Sequence, residues 1–290
     1  MSKKSNNTPG VFRSNIIGKT YKFFLDNWFL SIFFACIAFV GIISFYKLFV
    51  KKENFVYARV KMSQGLWWAS TQRPPSWLAF SLRPGMVEKD LTGQPKAELL
   101  SVRTYPYYSA SQYDTYLDLK LKVSGKLKTG SVNFNRSTLA VGAPIELAFP
   151  TVEISGTVMQ LSAKPFSDKL KWHTITLIKN NAYQWEYDAI TIGDQYQDGQ
   201  ESVLEILDKQ IVTNMMYPID YYGAYGERST MSLISQPRYQ ITVRAKIKVS
   251  QTQEGLVYGH EQELKLGKGM NLSTQNFLFQ DFQLAGINTN

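Results

Sequence analysis

Two histidines, one cysteine and one short run of carboxylates are the residues whose types could do chemistry in this 290-residue chain. His173 and His260 are far apart and neither has a cysteine nearby. No zinc-type ligand set or Cys–His nucleophile can therefore be assembled from spacing. Both read as structural, His260 at a turn after Tyr258-Gly259. Asp194, Asp198 and Glu201, in GDQYQDGQE, put three hard oxygen donors near a glycine, as a calcium loop does. The alternate ligand positions and distal glutamate of an EF-hand are missing, so a solvated turn between strands is expected. Cys36 sits inside an apolar run and reads as a membrane-buried thiol, and a single cysteine excludes an intrachain disulfide. There is no phosphate-cradling P-loop and no GxSxG elbow. No catalytic, cofactor-binding or metal-binding residue is assigned, and the chain reads as a non-enzyme. An envelope glycan-acting enzyme is the less favoured alternative, because two carboxylates distant in sequence can still face one cleft.

Aromatic side chains are the remaining functional signal. Trp67, Trp68 and Trp77 cluster in one region, with Tyr105, Tyr107, Tyr108 and Tyr113 after them; Tyr183, Trp185 and Tyr187, then Tyr217, Tyr221, Tyr222 and Tyr225, form a second group. Tyr and Trp fill small β-cores, but they also supply amphipathic anchors at interfaces. Trp67, Trp68, Trp77, Tyr221, Tyr222 and Tyr225 are the interaction candidates, and Trp67-Trp68 could rest on a membrane surface.

These residues must be positioned by two kinds of element. Residues 28–50, WFLSIFFACIAFVGIISFYKLFV, carry no charge from Phe29 to Tyr46. About 20 apolar residues cross a hydrocarbon core of roughly 30 Å, so a transmembrane helix is expected. The run exceeds a signal-peptide core, and no small-x-small cleavage site follows it. Lys3, Lys4, Arg13, Lys19 and Lys22 against Asp26 give +4 before the span; residues 47–53 carry +2 of the total +9 and the remaining chain +3. The positive-inside rule then places the N-terminus in the cytoplasm and the long C-terminal part on the far side of the membrane. Residues 1–27 form a basic cytoplasmic segment, in which 10–25 either lie along the inner surface or extend the anchor. The basic charge is mostly membrane-flanking, which argues against nucleic acid as a partner.

Beyond residue 53 the chain resembles itself. Tyr116–Ser124 and Thr242–Ser250 alternate strictly, as half-buried strands do, with Leu121 and Ile247 pointing inward. Leu139–Leu147 matches Leu264–Leu272, with Gly142 and Gly267 in turns. Phe80–Gly85 resembles Ala189–Gly193, and Tyr105-Pro106-Tyr107-Tyr108 resembles Tyr217-Pro218-Ile219-Asp220-Tyr221-Tyr222. The fold class expected is mainly β: a single N-terminal transmembrane helix, then two tandem small β-barrel or β-sandwich modules at 54–162 and 172–287, joined by a linker at 163–171. Copy one carries an insertion near Thr71–Trp77 and copy two a longer loop at Met216–Pro237.

Residues 139–161, LAVGAPIELAFPTVEISGTVMQL, together with Leu82-Arg83-Pro84-Gly85, Asp90 and Gly93, resemble the bacterial family catalogued as domain of unknown function 4330. The resemblance covers about residues 10–162 and departs at copy two, where Phe279–Leu284 replaces the Gly-x-Val strand. It implies a membrane-anchored β-rich envelope protein of bacterial origin and no catalytic residues. A looser similarity, at Gly142–Val158, is to anchored β-modules that line lipid-transport or export conduits.

The functional expectation is a single-pass extracytoplasmic scaffold or assembly component of a bacterial envelope complex. Its partners are membrane lipid around residues 28–50 and envelope proteins, including further copies of itself, with no cofactor. The alternative is a subunit of a lipid-transport or export conduit.

Overall fold

The computed structural model describes residues 27–49, 54–63, 73–107, 111–125, 132–213, 220–222, 228–230, 238–253 and 255–288. Helix α1 (Trp28–Phe49) has 22 residues, about 33 Å of helix at 1.5 Å per residue. It is long and apolar enough to span a membrane, and its apolar side chains are exposed. The basic segment 1–26, including the whole of residues 10–25, lies outside the described residues.

Residues 54–290 form one compact unit containing two β-modules. The first is built from β1 (Asn54–Ser63), the short helix α2 (Ser76–Ala79), β2 (Val87–Lys89), β3 (Pro95–Tyr107), β4 (Gln112–Gly125), β5 (Val132–Phe134), β6 (Ser137–Thr138), β7 (Pro144–Phe149) and β8 (Val152–Ser162). Its sheet runs β2-β3-β4-β1-β8-β7, antiparallel throughout, with the β5–β6 hairpin attached to β4. The two end strands, β2 and β7, approach each other, so the sheet nearly closes into a barrel. Period-two alternation explains why: Leu117, Leu119, Leu121 and Val123 all enter one core with Val56, Ala58 and Val60.

The second module contains β9 (Lys171–Ala182), α3 (Gln184–Ala189), β10 (Gln195–Gln197), β11 (Ser202–Thr213), β12 (Asp220–Tyr222), β13 (Arg228–Thr230), β14 (Tyr239–Gln251), β15 (Leu256–Tyr258), β16 (Gln262–Glu263), β17 (Leu272–Ser273), β18 (Leu278–Phe279) and β19 (Gln283–Asn288). Its sheet order, β10-β11-β14-β9-β19, reproduces β2-β3-β4-β1-β8 strand for strand. The registers agree as well. Ala97 opposes Leu121 as Leu204 opposes Ile247, and the bulge between Leu99 and Ser101 recurs between Ile206 and Asp208. Gly142, at φ +85°, donates its N–H to Val158 O at 2.7 Å; Gly267, at φ +79°, donates to Leu284 O at the same distance. Leu121 and Ile247 are both fully buried.

Two details depart from the sequence-based expectation. The register makes Val212, and not Tyr217, the counterpart of Tyr105, so the Tyr-Pro-Tyr resemblance is not a repeat. The insertion of copy one precedes Trp77, which belongs to the shared helix. Closure also differs between the modules. Gly156 on β8 lies so close to β1 that a Cβ would stand 2.5 Å from Val60 Cγ1 and 2.6 Å from Lys61 O. Its counterpart on β19's approach is Phe282, fully buried and edge-on to Phe279 at 5.1 Å, so an aromatic plug with the small β17–β18 hairpin replaces the β7–β8 closure.

Candidate functional site

The densest arrangement of titratable groups is the seam where the modules meet. Outward-facing residues of β1, β3 and β4 would be solvated on an isolated barrel, but here they are covered. Arg59 forms a two-point pair with Asp118 (Nε–Oδ1 2.7 Å, Nη2–Oδ2 3.0 Å) and a second with Asp168 of the linker (2.9 and 2.7 Å). Phe166, also in the linker, lies 4.7 Å from the guanidinium. A planar fork saturated by two carboxylates and stacked on a ring is the geometry that best offsets burying an arginine. The linker is therefore part of the seam.

The second half of the seam is centred on Asp198, which is fully buried. This corrects the expectation of a solvated turn at Asp198, while Asp194 and Glu201 remain partly exposed. Asp198 Oδ1 accepts the N–H groups of Gln200 (2.9 Å) and Glu201 (3.0 Å), shaping its own hairpin. Oδ2 accepts from Arg103 Nη1 at 2.5 Å and from the Tyr105 hydroxyl at 3.0 Å. Its backbone carbonyl accepts the Thr104 N–H at 2.7 Å, capping β3 beyond the end of β2, and Tyr196 Oη donates to Thr104 O at 2.9 Å. Glu201 joins Arg103 at 3.2 Å and also pairs with Lys248. Asp194 instead accepts from Asn276 at 3.0 Å within its own module.

Aromatic packing completes the contact. Tyr105 and Tyr116, from the first module, enter the hydrophobic core of the second. Tyr105 meets Tyr258 edge-on at 5.4 Å, and the His260 ring lies 4.7 Å from Tyr116. Burial pushes the Tyr105 and Tyr116 hydroxyls far above their ordinary range, so both remain neutral donors. His260 occupies the expected turn, at φ +69°, but it is also a seam residue, its Nδ1 3.5 Å from Arg59 Nη1. Burial first, then the nearby Arg59 charge, lower its pKa to about 4. The ring is neutral near pH 7 and available to accept from Arg59.

This histidine gives the seam a pH dependence. Its folded-state pKa lies below the ordinary 6.5, so the unfolded chain takes up the proton first. The stability present above about pH 6.5 is lost as pH falls toward 4, by an amount on the order of 2–3 kcal/mol. For Asp168, burial opposes the charge, but Arg59 overcomes it and holds the carboxyl below its ordinary 3.8. Its contribution persists to lower pH and is lost only as pH falls through that lowered value. We expect His260→Asn, which suits a positive-φ turn, to flatten the decline between pH 6.5 and 4 in chemical denaturation. An unchanged slope would remove His260 from this role.

The repeat shows what makes the seam possible. In the first module the hairpin equivalent to Asp198–Glu201 is Asp90–Gln94, where Asp90 Oδ1 accepts from Thr92 N and Gln94 N at 2.8 and 3.0 Å. Its next residue, Leu91, is fully exposed, whereas the counterpart Gly199 touches β3: a Cβ there would stand 2.9 Å from Val102 O. Likewise Asn135-Arg136 (φ 51° and 69°) corresponds to Gly259-His260 (φ 59° and 69°), and a Cβ on Gly259 would meet Tyr105 at 3.1 Å. Directly after the hairpin aspartate, and at the Asn135/Gly259 position, the docking copy has glycine where the first module has a side chain.

Of the sequence-predicted interaction residues, Trp67, Trp68 and Tyr225 lie outside the described residues. Tyr221 and Tyr222 belong to β12, paired with β13 in a separate two-stranded ladder. Trp77 is on α2 and is 73% exposed. Trp185, which the sequence reading did not select, occupies the equivalent position on α3 and is 61% exposed. Both stand eight residues before the turn glycines Gly85 and Gly193 and thirteen before the hairpin aspartates Asp90 and Asp198. That shared spacing is the signal that could have found Trp185. Trp77, the one predicted residue whose side chain is described, takes no part in the seam. Among the described residues, no group of three or more His, Cys, Asp or Glu is arranged to hold a metal ion. Comparison of the chain with family models, curated proteins and solved structures found no match.

Proposed function

We propose that this chain is a non-catalytic, membrane-anchored scaffold of a bacterial envelope complex, with its N-terminus cytoplasmic and its β-modules outside, presenting Trp77 and Trp185 to a protein partner. The Trp pair carries this reading. The two copies have diverged at most positions between α2 and β2, yet three residues are retained at the same spacing. The glycines hold positive φ (Gly85 +90°, Gly193 +89°) and the aspartates shape their hairpins. The tryptophans are mostly exposed, so core packing does not explain their retention. Exposed tryptophan is costly to keep in water and is a preferred anchor of protein interfaces. The surroundings are also aromatic: Phe80, near Trp77, is exposed, and Tyr183 stacks on Trp185 (6.3 Å, 21°) beneath Arg238. The seam supports a scaffold differently, because its acids and bases satisfy one another instead of converging on a cleft. The resemblance to the anchored family and the positive charge before α1 favour the envelope location.

A photo-crosslinking residue at position 77 or 185 of the full-length chain should capture the same protein in living cells, while one at exposed Leu266 should not. Trp77→Ala with Trp185→Ala should abolish copurification after mild detergent extraction and leave thermal unfolding within about 0.5 kcal/mol of wild type, as for surface changes. Undiminished copurification would contradict the assignment.

A further inference from the structure

A cleft of about 590 Å³ opens beside the linker at the end of the second module, within the size range of small-molecule sites. Trp172, Val249 and Leu256 supply its apolar wall, and Lys169, Lys171 and His173 its polar one. Lys169 and Lys171 have no carboxylate partner among the described residues, and the one acid lining the cleft, Asp168, is already held by Arg59. Lys248, paired with Glu201, lies behind Trp172 with its Nζ 5.1 Å from the ring centroid.

His173 is the most informative member. It lies on β9 with its side chain buried, and its Nδ1 is inaccessible and without a hydrogen-bond partner. A buried unpaired polar atom is expensive. The fold itself does not require histidine here, because the register makes Val56 the counterpart in the first module, where it is buried in the core. Asn54 and Phe55 likewise correspond to Lys171 and Trp172. The second module has thus kept the aromatic and gained a lysine and a histidine beside it, at a position where a valine packs equally well.

We propose that this cleft binds an organic anion, a phosphate or carboxylate group on an apolar or planar body. Lys169 and Lys171 contact the charge, Trp172 and Leu256 cover the body, and His173 lines the cleft with the edge opposite its closed-off Nδ1. The anion can come from a soluble metabolite or from a lipid headgroup, and the two sources separate experimentally.

The probe is phenyl phosphate, titrated calorimetrically into the detergent-solubilised full-length chain with inorganic phosphate as comparison. Phenyl phosphate should bind, and more tightly than inorganic phosphate. Lys169→Met with Lys171→Met should weaken it at least about tenfold, as loss of two charge-assisted contacts implies. Trp172→Leu should erase the preference over inorganic phosphate, and His173→Val, which installs the first module's residue, should keep the fold while weakening binding. In lipid nanodiscs, added phosphatidic acid will compete with phenyl phosphate if the natural ligand is a headgroup, and will leave its affinity unchanged if the ligand is soluble. Absence of binding to the folded wild type at about 10 mM probe, or equal binding by the double lysine variant, would overturn the proposal.

Discussion

Replacing Gly199 by leucine, the residue that follows the hairpin aspartate in the first module, should undock the two β-modules while leaving each module folded. Gly199 has φ +102°, a conformation that residues with a Cβ rarely adopt, and its missing Cβ faces the Val102 carbonyl at 2.9 Å. Backbone cannot yield there without moving β3, so the hairpin must withdraw. Asp198 withdraws with it, and Arg103, Tyr105 and the Thr104 N–H all lose their partner. The expected outcome is loss of one cooperative transition, replaced by two, with hydrogen exchange rising at Thr104 and in the linker but not at Leu121 or Ile247. A single transition with the wild-type midpoint would mean that the seam does not hold the modules together.

Asp198→Ala should be the most destabilising side-chain truncation in the seam. Removing one partner of a buried ion pair typically costs about 3–5 kcal/mol, and Arg103 would keep only its longer contact to the partly exposed Glu201. Here the loss extends to the Tyr105 hydroxyl and to two hairpin N–H groups. Asp198→Asn should recover little, since an amide can keep the hairpin contacts but cannot neutralise Arg103. Combining Asp198→Asn with Arg103→Leu should then cost less than the two single changes added, with a coupling above about 1.5 kcal/mol in a double-mutant cycle. Simple additivity would place the stabilisation elsewhere.

What could be read from the sequence divides along physical lines. The interior of each module was legible, because Leu117 through Val123 and Val243 through Val249 declare a buried face by alternation alone. The turn glycines Gly142 and Gly267 were legible too, since positive φ restricts residue choice locally. The seam was not. Arg59, Arg103 and Asp118 sit in the outward phase of their strands, and a charged outward residue has the same pattern whether water or another module covers it. Their partners lie 59 to 109 residues away, at separations that no local pattern encodes. Two local clues did exist. Gly199 and Gly259 stand where the first module has Leu91 and Asn135, a loss of side chain confined to one copy. Trp185 was concealed by comparing aromatic content instead of spacing: counted from Gly193, it coincides with Trp77.

The same comparison shows that the first module lacks the groups with which the second module docks. The first module's corresponding loops carry side chains, Leu91 and Asn135, where the docking loops have Gly199 and Gly259 lying against Val102 O and Tyr105. The counterparts of Arg103 and Tyr105 in the second module are Gln210 and Val212, which offer Asp90 neither the guanidinium nor the phenol that Asp198 uses. The seam thus works within one chain, which suits a rigid display of Trp77 and Trp185.

That rigidity is the centre of the account, and electron-spin distance measurement tests it most directly. Spin labels at Leu91 and Leu266, both exposed and on different modules, can be introduced as cysteines in a Cys36→Ala background of the full-length chain. One narrow distance distribution is predicted at neutral pH, broadening markedly with Gly199→Leu. A broad distribution in the otherwise wild-type protein would contradict the account, since the modules would then move independently and could not hold the two tryptophans in a fixed relation.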